Sequence, residues 1–302
     1  MFKGSLTALI TPFKTDEARS VDEDAFRRLV EWQIAEGTHG LVPAGTTGES
    51  PTLTYDEHKR IIAITVQVAR GRVPVIAGTG SNSTAEAIEL SRHAEADGAS
   101  GLLVVAPYYN KPTQEGLYQH FKKINDSVGI PIIVYNIPGR TNVDISIDTM
   151  ARLSELRNIA GVKDATASLS RVARERRVTQ KTGRRFVQLS GEDETALAFM
   201  AHGGEGCISV ASNIAPRLCA EFQNACLRGD YAAAREIQDR LQPIHETMFI
   251  ETNPGPVKYA ASRLGLCSEE MRLPLWKVSD DTRRKVDAAL AAAGLLHAKA
   301  AE

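Results

Sequence analysis

The sequence predicts an α/β protein: a (β/α)₈ TIM barrel with a helical appendage at its C-terminal end. Three observations carry that prediction. Short apolar runs recur eight times, at spacings of about 20 to 35 residues. They lack the strict alternation of half-exposed strands, and amphipathic helical patterns fill the gaps between them. Parallel strands buried on both faces read this way, and eight strand–helix units with right-handed connections close into a barrel. A chain of 302 residues holds such a barrel, ordinarily about 250 residues, and leaves helices over.

Taken in order, the predicted strands are 5–11, 40–43, 73–77, 101–106, 130–135, 159–163, 186–190 and 206–211. After the first, Phe26, Leu29, Val30 and Ile34 form an apolar stripe at helical spacing, closed by Gly37. Capping-box pairs mark three helix starts: Ser20 with Glu23, Thr54 with Glu57, and Ser83 with Glu86. From Pro216 onward the pattern is helical, with turns at Arg228-Gly229-Asp230, Asn253-Pro254-Gly255-Pro256 and Leu273-Pro274. One of these helices completes the barrel. The expected organisation is therefore a barrel over 1–228, a helical region over 229–296 and a disordered tail over 297–302.

Composition narrows the function. Apolar residues make up 43% and charged residues 24%, a soluble globular balance. A net charge of −1 offers no electrostatic footprint for nucleic acid or an anionic membrane. The basic run Arg171, Arg174, Arg176, Arg177, Lys181 and Arg184, with Glu175 interposed, reads as a solvated helix face. Cys207, Cys219, Cys226 and Cys267 form no CxxC pair and read as reduced thiols. Neither a leader pattern at Met1–Leu6 nor an apolar segment near 18 residues is present, so a cytoplasmic protein is expected.

The chemistry starts from Lys163, alone in the apolar run Ile159-Ala160-Gly161-Val162-Lys163-Asp164-Ala165. Burying an ammonium is expensive, and desolvation favours the neutral amine, a nucleophile towards carbonyl carbon. The plainer alternative is that Lys163 snorkels from the strand's end or pairs with Asp164. In barrels of this kind catalytic groups come from the carboxyl ends of the strands. Strand two ends in Gly45-Thr46-Thr47-Gly48-Glu49, a compact turn suited to an anion or merely structural. Strand four ends in Tyr108-Tyr109-Asn110-Lys111-Pro112, and strand five in Tyr135-Asn136-Ile137-Pro138-Gly139-Arg140-Thr141. Each tyrosine alone could be a rim residue. Together an amine, phenols, hydroxyls and a guanidinium are the parts that Schiff-base chemistry on an α-keto acid needs. Glu192, Asp193 and Glu194 after strand seven would repel a phosphate, which argues against phosphate-bearing cofactors. The histidines show no metal spacing, so neither a metal nor an organic cofactor is expected.

Those same strand-end segments, with Gly161-Val162-Lys163-Asp164, resemble the dihydrodipicolinate synthase family, and the similarity spans essentially the whole chain, from Phe2 to Leu296. The resemblance implies that Lys163 forms an imine with pyruvate, whose enamine attacks aspartate 4-semialdehyde, and that the ring then closes with loss of water. It implies that Thr47 holds the pyruvate carboxylate and that Thr46, Tyr135 and Tyr109 relay protons, Tyr109 coming from a neighbouring subunit. Arg140 would bind the semialdehyde's carboxylate, and Gly191 and Ile208 would offer backbone carbonyls near the lysine. A homotetramer assembled as a dimer of dimers is implied. Ser50, His58, Asn82, Glu86 and Tyr108 match the residue types of the lysine-binding allosteric pocket in sensitive members. Tyr55 and Pro51 depart from that pattern, so partial inhibition is expected, and Glu86 could instead serve only the capping box with Ser83. Two other functions remain open on sequence: a sister pyruvate-dependent aldolase, and a barrel that binds a keto acid without catalysis.

Overall fold

A computed structural model describes residues 2–296, so the tail from 297 onward, expected to be disordered, lies outside the described residues. Eight parallel strands form one sheet: β1 Gly4–Ala8, β2 Gly40–Val42, β3 Ile76–Gly78, β4 Gly101–Val105, β5 Ile132–Asn136, β6 Ile159–Asp164, β7 Val187–Ser190 and β8 Gly206–Ser209. Their order is β2-β1-β8-β7-β6-β5-β4-β3, and all pairings are parallel. The remaining seam is joined by a single parallel bridge, Leu41 to Val75, flanked by Leu41 N–H to Pro74 O (3.0 Å) and Gly78 N–H to Pro43 O (2.9 Å). The cylinder is thus nearly closed, as the recurrent apolar runs predict.

The helices are α1 Glu23–Ala35, α2 Tyr55–Ala69, α3 Thr84–Ala96, α4 Gln114–Asn125, α5 Pro138–Thr141, α6 Ile147–Ser154, α7 Leu169–Thr179, α8 Ala196–Ala201, α9 Pro216–Leu227, α10 Tyr231–Thr247, α11 Gly255–Arg263 and α12 Asp280–Ala292. Two apolar layers result. Inside the barrel, Leu6, Val42, Ile76, Leu103, Ile133, Leu189 and Ile208 pack together above Phe2. Outside it, the stripe of each helix covers the strands. Phe26, Leu29 and Val30 are buried, with Ile34 at the margin. Burying each such side chain stabilises the fold by roughly 1.5–3 kcal/mol relative to exposure. Buried residues of the last three helices, including Leu241, Ile244, Val257 and Leu290, belong to the same outer cluster.

Three sequence expectations change. The first helix is capped by Asp22, whose carboxylate accepts from Ala25 N–H (2.9 Å), and not by Ser20 with Glu23. Asp22 lies immediately before the first helical residue, where its oxygen reaches the free N–H groups. The Thr54–Glu57 capping box is complete. At Ser83 only half a box forms: its hydroxyl accepts from Glu86 N–H, but the Glu86 side chain bonds Tyr55 and Ser81 instead. Finally, the basic run of α7 is not wholly solvated, because Arg171 and Glu175 are buried and paired at 2.8 Å. A residue pair one helical turn apart shares a face, and here that face is turned inward.

Candidate active site

Strand alternation decides the fate of Lys163. In β6 successive side chains point to opposite faces, so Lys163 enters the barrel while Asp164 turns outward to the helix layer. The register sets Tyr135 of β5 directly beside Lys163, and Leu189 of β7 on its other side. Lys163 Nζ lies 4.2 Å from the centre of the Tyr135 ring. Both residues are 6% exposed, and among the described residues Lys163 has no hydrogen-bond or ion-pair partner. The sequence alternative in which Lys163 pairs with Asp164 is not realised: Asp164 accepts from Thr166 N–H (2.8 Å) and lies 3.6 Å from Arg171. Burial pushes the Asp164 carboxyl above its usual range.

Gly191, after β7, leaves room for the lysine chain. A Cβ there would stand 2.7 Å from Ala165 Cβ and 3.2 Å from Lys163 Cε. Ile208 is sealed in the barrel interior and is not part of the cavity wall. The cavity is about 900 Å³ and opens at the carboxyl ends of the strands, with Lys163, Tyr135, Thr46, Thr47, Arg140 and Gly191 in its wall. Arg140, carried by the single turn α5, is exposed and unpaired among the described residues.

The threonine turn is held from a distance. Thr47 Oγ1 accepts from Asn253 Nδ2 (3.1 Å), and Thr11 Oγ1 donates to Gly48 O (2.7 Å). Glu49, with a left-handed backbone (φ 56°), buries its carboxylate against Lys258 Nζ at 2.7 Å, both side chains 0% exposed. Lys258 Nζ also donates to Thr11 O (2.9 Å) and sits 4.2 Å from the centre of the Phe13 ring. Burial lowers the Lys258 pKa, and the Glu49 carboxylate opposes that shift. Among the described residues the N–H groups of Gly45, Thr46 and Thr47 donate to no internal partner, which leaves donors for an anion. Sequence reasoning missed Asn253, Lys258 and Glu49 as parts of this architecture. The stretch from Phe249 to Asn253 also contributes to the cavity wall.

Asp193, taken from sequence as part of an anion-repelling group, is buried and accepts from Val210 N–H (2.8 Å) and Ala211 N–H (3.0 Å). Glu192 remains in the wall, its carboxyl pushed up by burial. Tyr109 is 89% exposed, with φ 70°, and is not part of the wall of the cavity that holds Lys163. A second cavity of about 480 Å³ adjoins the first and shares Thr46, Ser50 and Arg140 with it. Ser50, His58, Glu86 and Tyr108 line it; Asn82 does not, and its carbonyl accepts from Asn110 Nδ2 (2.9 Å). Burial lowers the His58 pKa to about 4. Hydrogen bonds from Ser81 and Tyr55 lower that of Glu86, and the Glu86 carboxylate raises that of Tyr55 to about 12. Among the described residues no three His, Cys, Asp or Glu side chains gather as a metal site requires, and no helix is long and apolar enough to cross a membrane.

An eight-stranded parallel barrel whose mouth holds a buried, unpaired primary amine defines a class: the (β/α)₈ proteins with a lysine-centred cavity. Within it, the chain belongs to the dihydrodipicolinate synthetase family, which it matches over residues 1–293. It is 64% identical over 296 residues to the 4-hydroxy-tetrahydrodipicolinate synthase of Afipia carboxidovorans, covering 98% of each chain. Among solved structures it is similar to the dihydrodipicolinate synthase of Aquifex aeolicus, with TM-score 0.93, 48% identity and coverage of 97% of this chain and 99% of that one. The enzyme from Cyanidioschyzon merolae with lysine bound gives TM-score 0.93 at 36% identity, covering 98% and 99%.

Proposed function

We propose that the protein condenses pyruvate with L-aspartate 4-semialdehyde to give 4-hydroxy-tetrahydrodipicolinate. The observation that carries this reading is the Lys163 amine, buried without a partner among the described residues and beside the Tyr135 ring in the cavity. Pyruvate would seat its carboxylate on Thr47 and the free N–H groups of that turn. The Lys163 nitrogen then attacks the keto carbon, and water leaves as the imine forms. Loss of a methyl proton gives the enamine, which forms the new carbon–carbon bond to the aldehyde carbon. The semialdehyde's own amine finally attacks the imine carbon, closing the ring and releasing Lys163. Overall, one water is lost for each pair of substrates.

Each step moves a proton at the mouth of the barrel. Tyr135 and Thr46 are the groups of this chain placed to carry it, with Tyr109 supplied by a second copy. The exposure and positive φ of Tyr109 support that assignment, because a strained, outward-facing tyrosine has no role inside its own barrel. The assembly proposed is a homotetramer built as a dimer of dimers. Arg140 would receive the semialdehyde's carboxylate, and the backbone carbonyls of Gly191 and Ile208 would lie near the lysine. Steady-state assays with pyruvate and either aspartate 4-semialdehyde or a polyol aldehyde test the choice of acceptor. Turnover of the semialdehyde is expected; preference for the polyol would overturn the reading in favour of a sister aldolase.

Free lysine is proposed as the ligand of the second cavity. Glu86 presents a carboxylate there, Tyr108 adjoins the relay residue Tyr109, and the wall shared through Thr46 and Arg140 offers a contact route to the first site. Glu86 is already bonded to Tyr55 and Ser81, so lysine must compete for it, which fits partial inhibition. Lysine titrated at subsaturating pyruvate should lower the rate, with weaker inhibition in Glu86→Ala. A rate unchanged at millimolar-order lysine would remove the proposal.

A further inference from the structure

Among the described residues nothing bonded to the Arg140 side chain fixes its direction, so the backbone that carries it must do so. That backbone is clamped on its far side. After α5 the chain turns through Asn142 (φ 59°) and is caught two residues later by Asn136, the last residue of β5. Asn136 Nδ2 donates to Asp144 Oδ1 (2.8 Å), and its Oδ1 accepts from Ile145 N–H (3.2 Å). Arg171 of α7 grips the same two residues: Nη1 donates to the Asp144 oxygens at 3.1 and 3.3 Å, and Nη2 donates to Ile145 O. Its Nε is held by Glu175 Oε1 at 2.8 Å, and Glu175 accepts in turn from Gln188 of β7 at 3.4 Å. Asp164, next to Lys163 in β6, lies 3.6 Å from Arg171 Nε. One buried guanidinium therefore ties the Arg140 turn to the strand that carries the reactive amine.

We propose that Arg171 and Asp144 are positioning residues, which hold the turn 137–145 so that Arg140 faces the carboxylate of the aldehyde substrate. The proposal rests on the function assigned above and deepens it. Neither residue lines the cavity, and both act through Arg140. The planar fork matters because Arg171 meets carboxylates and a carbonyl in several fixed directions at once, which the single point charge of a lysine cannot do.

The test is a double-mutant cycle on the intact enzyme, read in separate KM values for the two substrates. Asp144→Asn removes the charge at an exposed side chain (54% exposed), so it tests the clamp without unfolding the barrel, and Arg171→Lys provides a second variant. Both are expected to raise the aldehyde KM about tenfold or more, since small misplacements of a binding group are costly. The pyruvate KM and the borohydride trapping of pyruvate on Lys163 should stay at parental values. In an Arg140→Ala background, Asp144→Asn should add nothing to the aldehyde KM. Equal losses in both backgrounds, a matching loss for pyruvate, or an unchanged aldehyde KM in Asp144→Asn would overturn the positioning role while leaving the assigned reaction intact. An unchanged aldehyde KM in Arg140→Ala itself would overturn the assignment of Arg140 and the proposal with it.

Discussion

Lys163 and Asp164 are chain neighbours, yet one faces the cavity and the other a charge cluster, where buried Asp164 and Glu175 and the exposed Asp144 surround the buried guanidinium of Arg171. Glu175 is raised from 4.5 to about 7 by burial, which outweighs the opposing pull of Arg171. A carboxyl with a raised folded-state pKa keeps a proton that the unfolded chain has released. Its contribution is fully present below about pH 4.5 and is lost as pH rises through about 7. Glu175→Gln abolishes that titration, so the parent should lose stability relative to the variant as pH rises through this window. Urea unfolding of both proteins at pH 5 and pH 8 checks it; a stability difference that does not change with pH would contradict the assignment. Sequence could not reveal the cluster. Arg171 and Glu175 look like members of a basic helix face until the neighbouring strand shows which side is turned inward.

Among the elements, the loop Gly45–Glu49 and helix α11 show what sequence can and cannot supply. The two threonines between glycines were legible as a strand-end turn. Their support was not, because Lys258 and Glu49 are 209 positions apart and only the folded chain joins them. Removing one partner of a buried ion pair leaves an uncompensated charge, so Lys258→Met should destabilise the protein by about 3–5 kcal/mol. The same change should lower kcat/KM for pyruvate, since Glu49 anchors the turn beside Thr47. Unfolding midpoints and pyruvate kinetics measure both effects, and parental values in both would refute the clamp. Strand limits were legible only approximately. The third strand begins at Ile76, where Val73 was expected, because Pro74 has no N–H for the ladder and Val75 makes only an isolated bridge.

For the whole molecule, the barrel was readable because strands buried on both faces print their hydrophobicity at a regular interval. The part played by the C-terminal helices was not, since no local pattern reveals that Asn253 and Lys258 reach back to Thr47 and Glu49 in the second strand's turn. The same limit applies beyond one chain: Tyr109 is 89% exposed, and the role proposed for it lies in the site of a second copy. The central claim concerns one nitrogen, and mass spectrometry after borohydride reduction in the presence of pyruvate tests it most directly. A lactyl adduct on the peptide that contains Lys163, absent in Lys163→Ala, is the result expected. An adduct on another lysine, or none with the folded protein, would contradict the account.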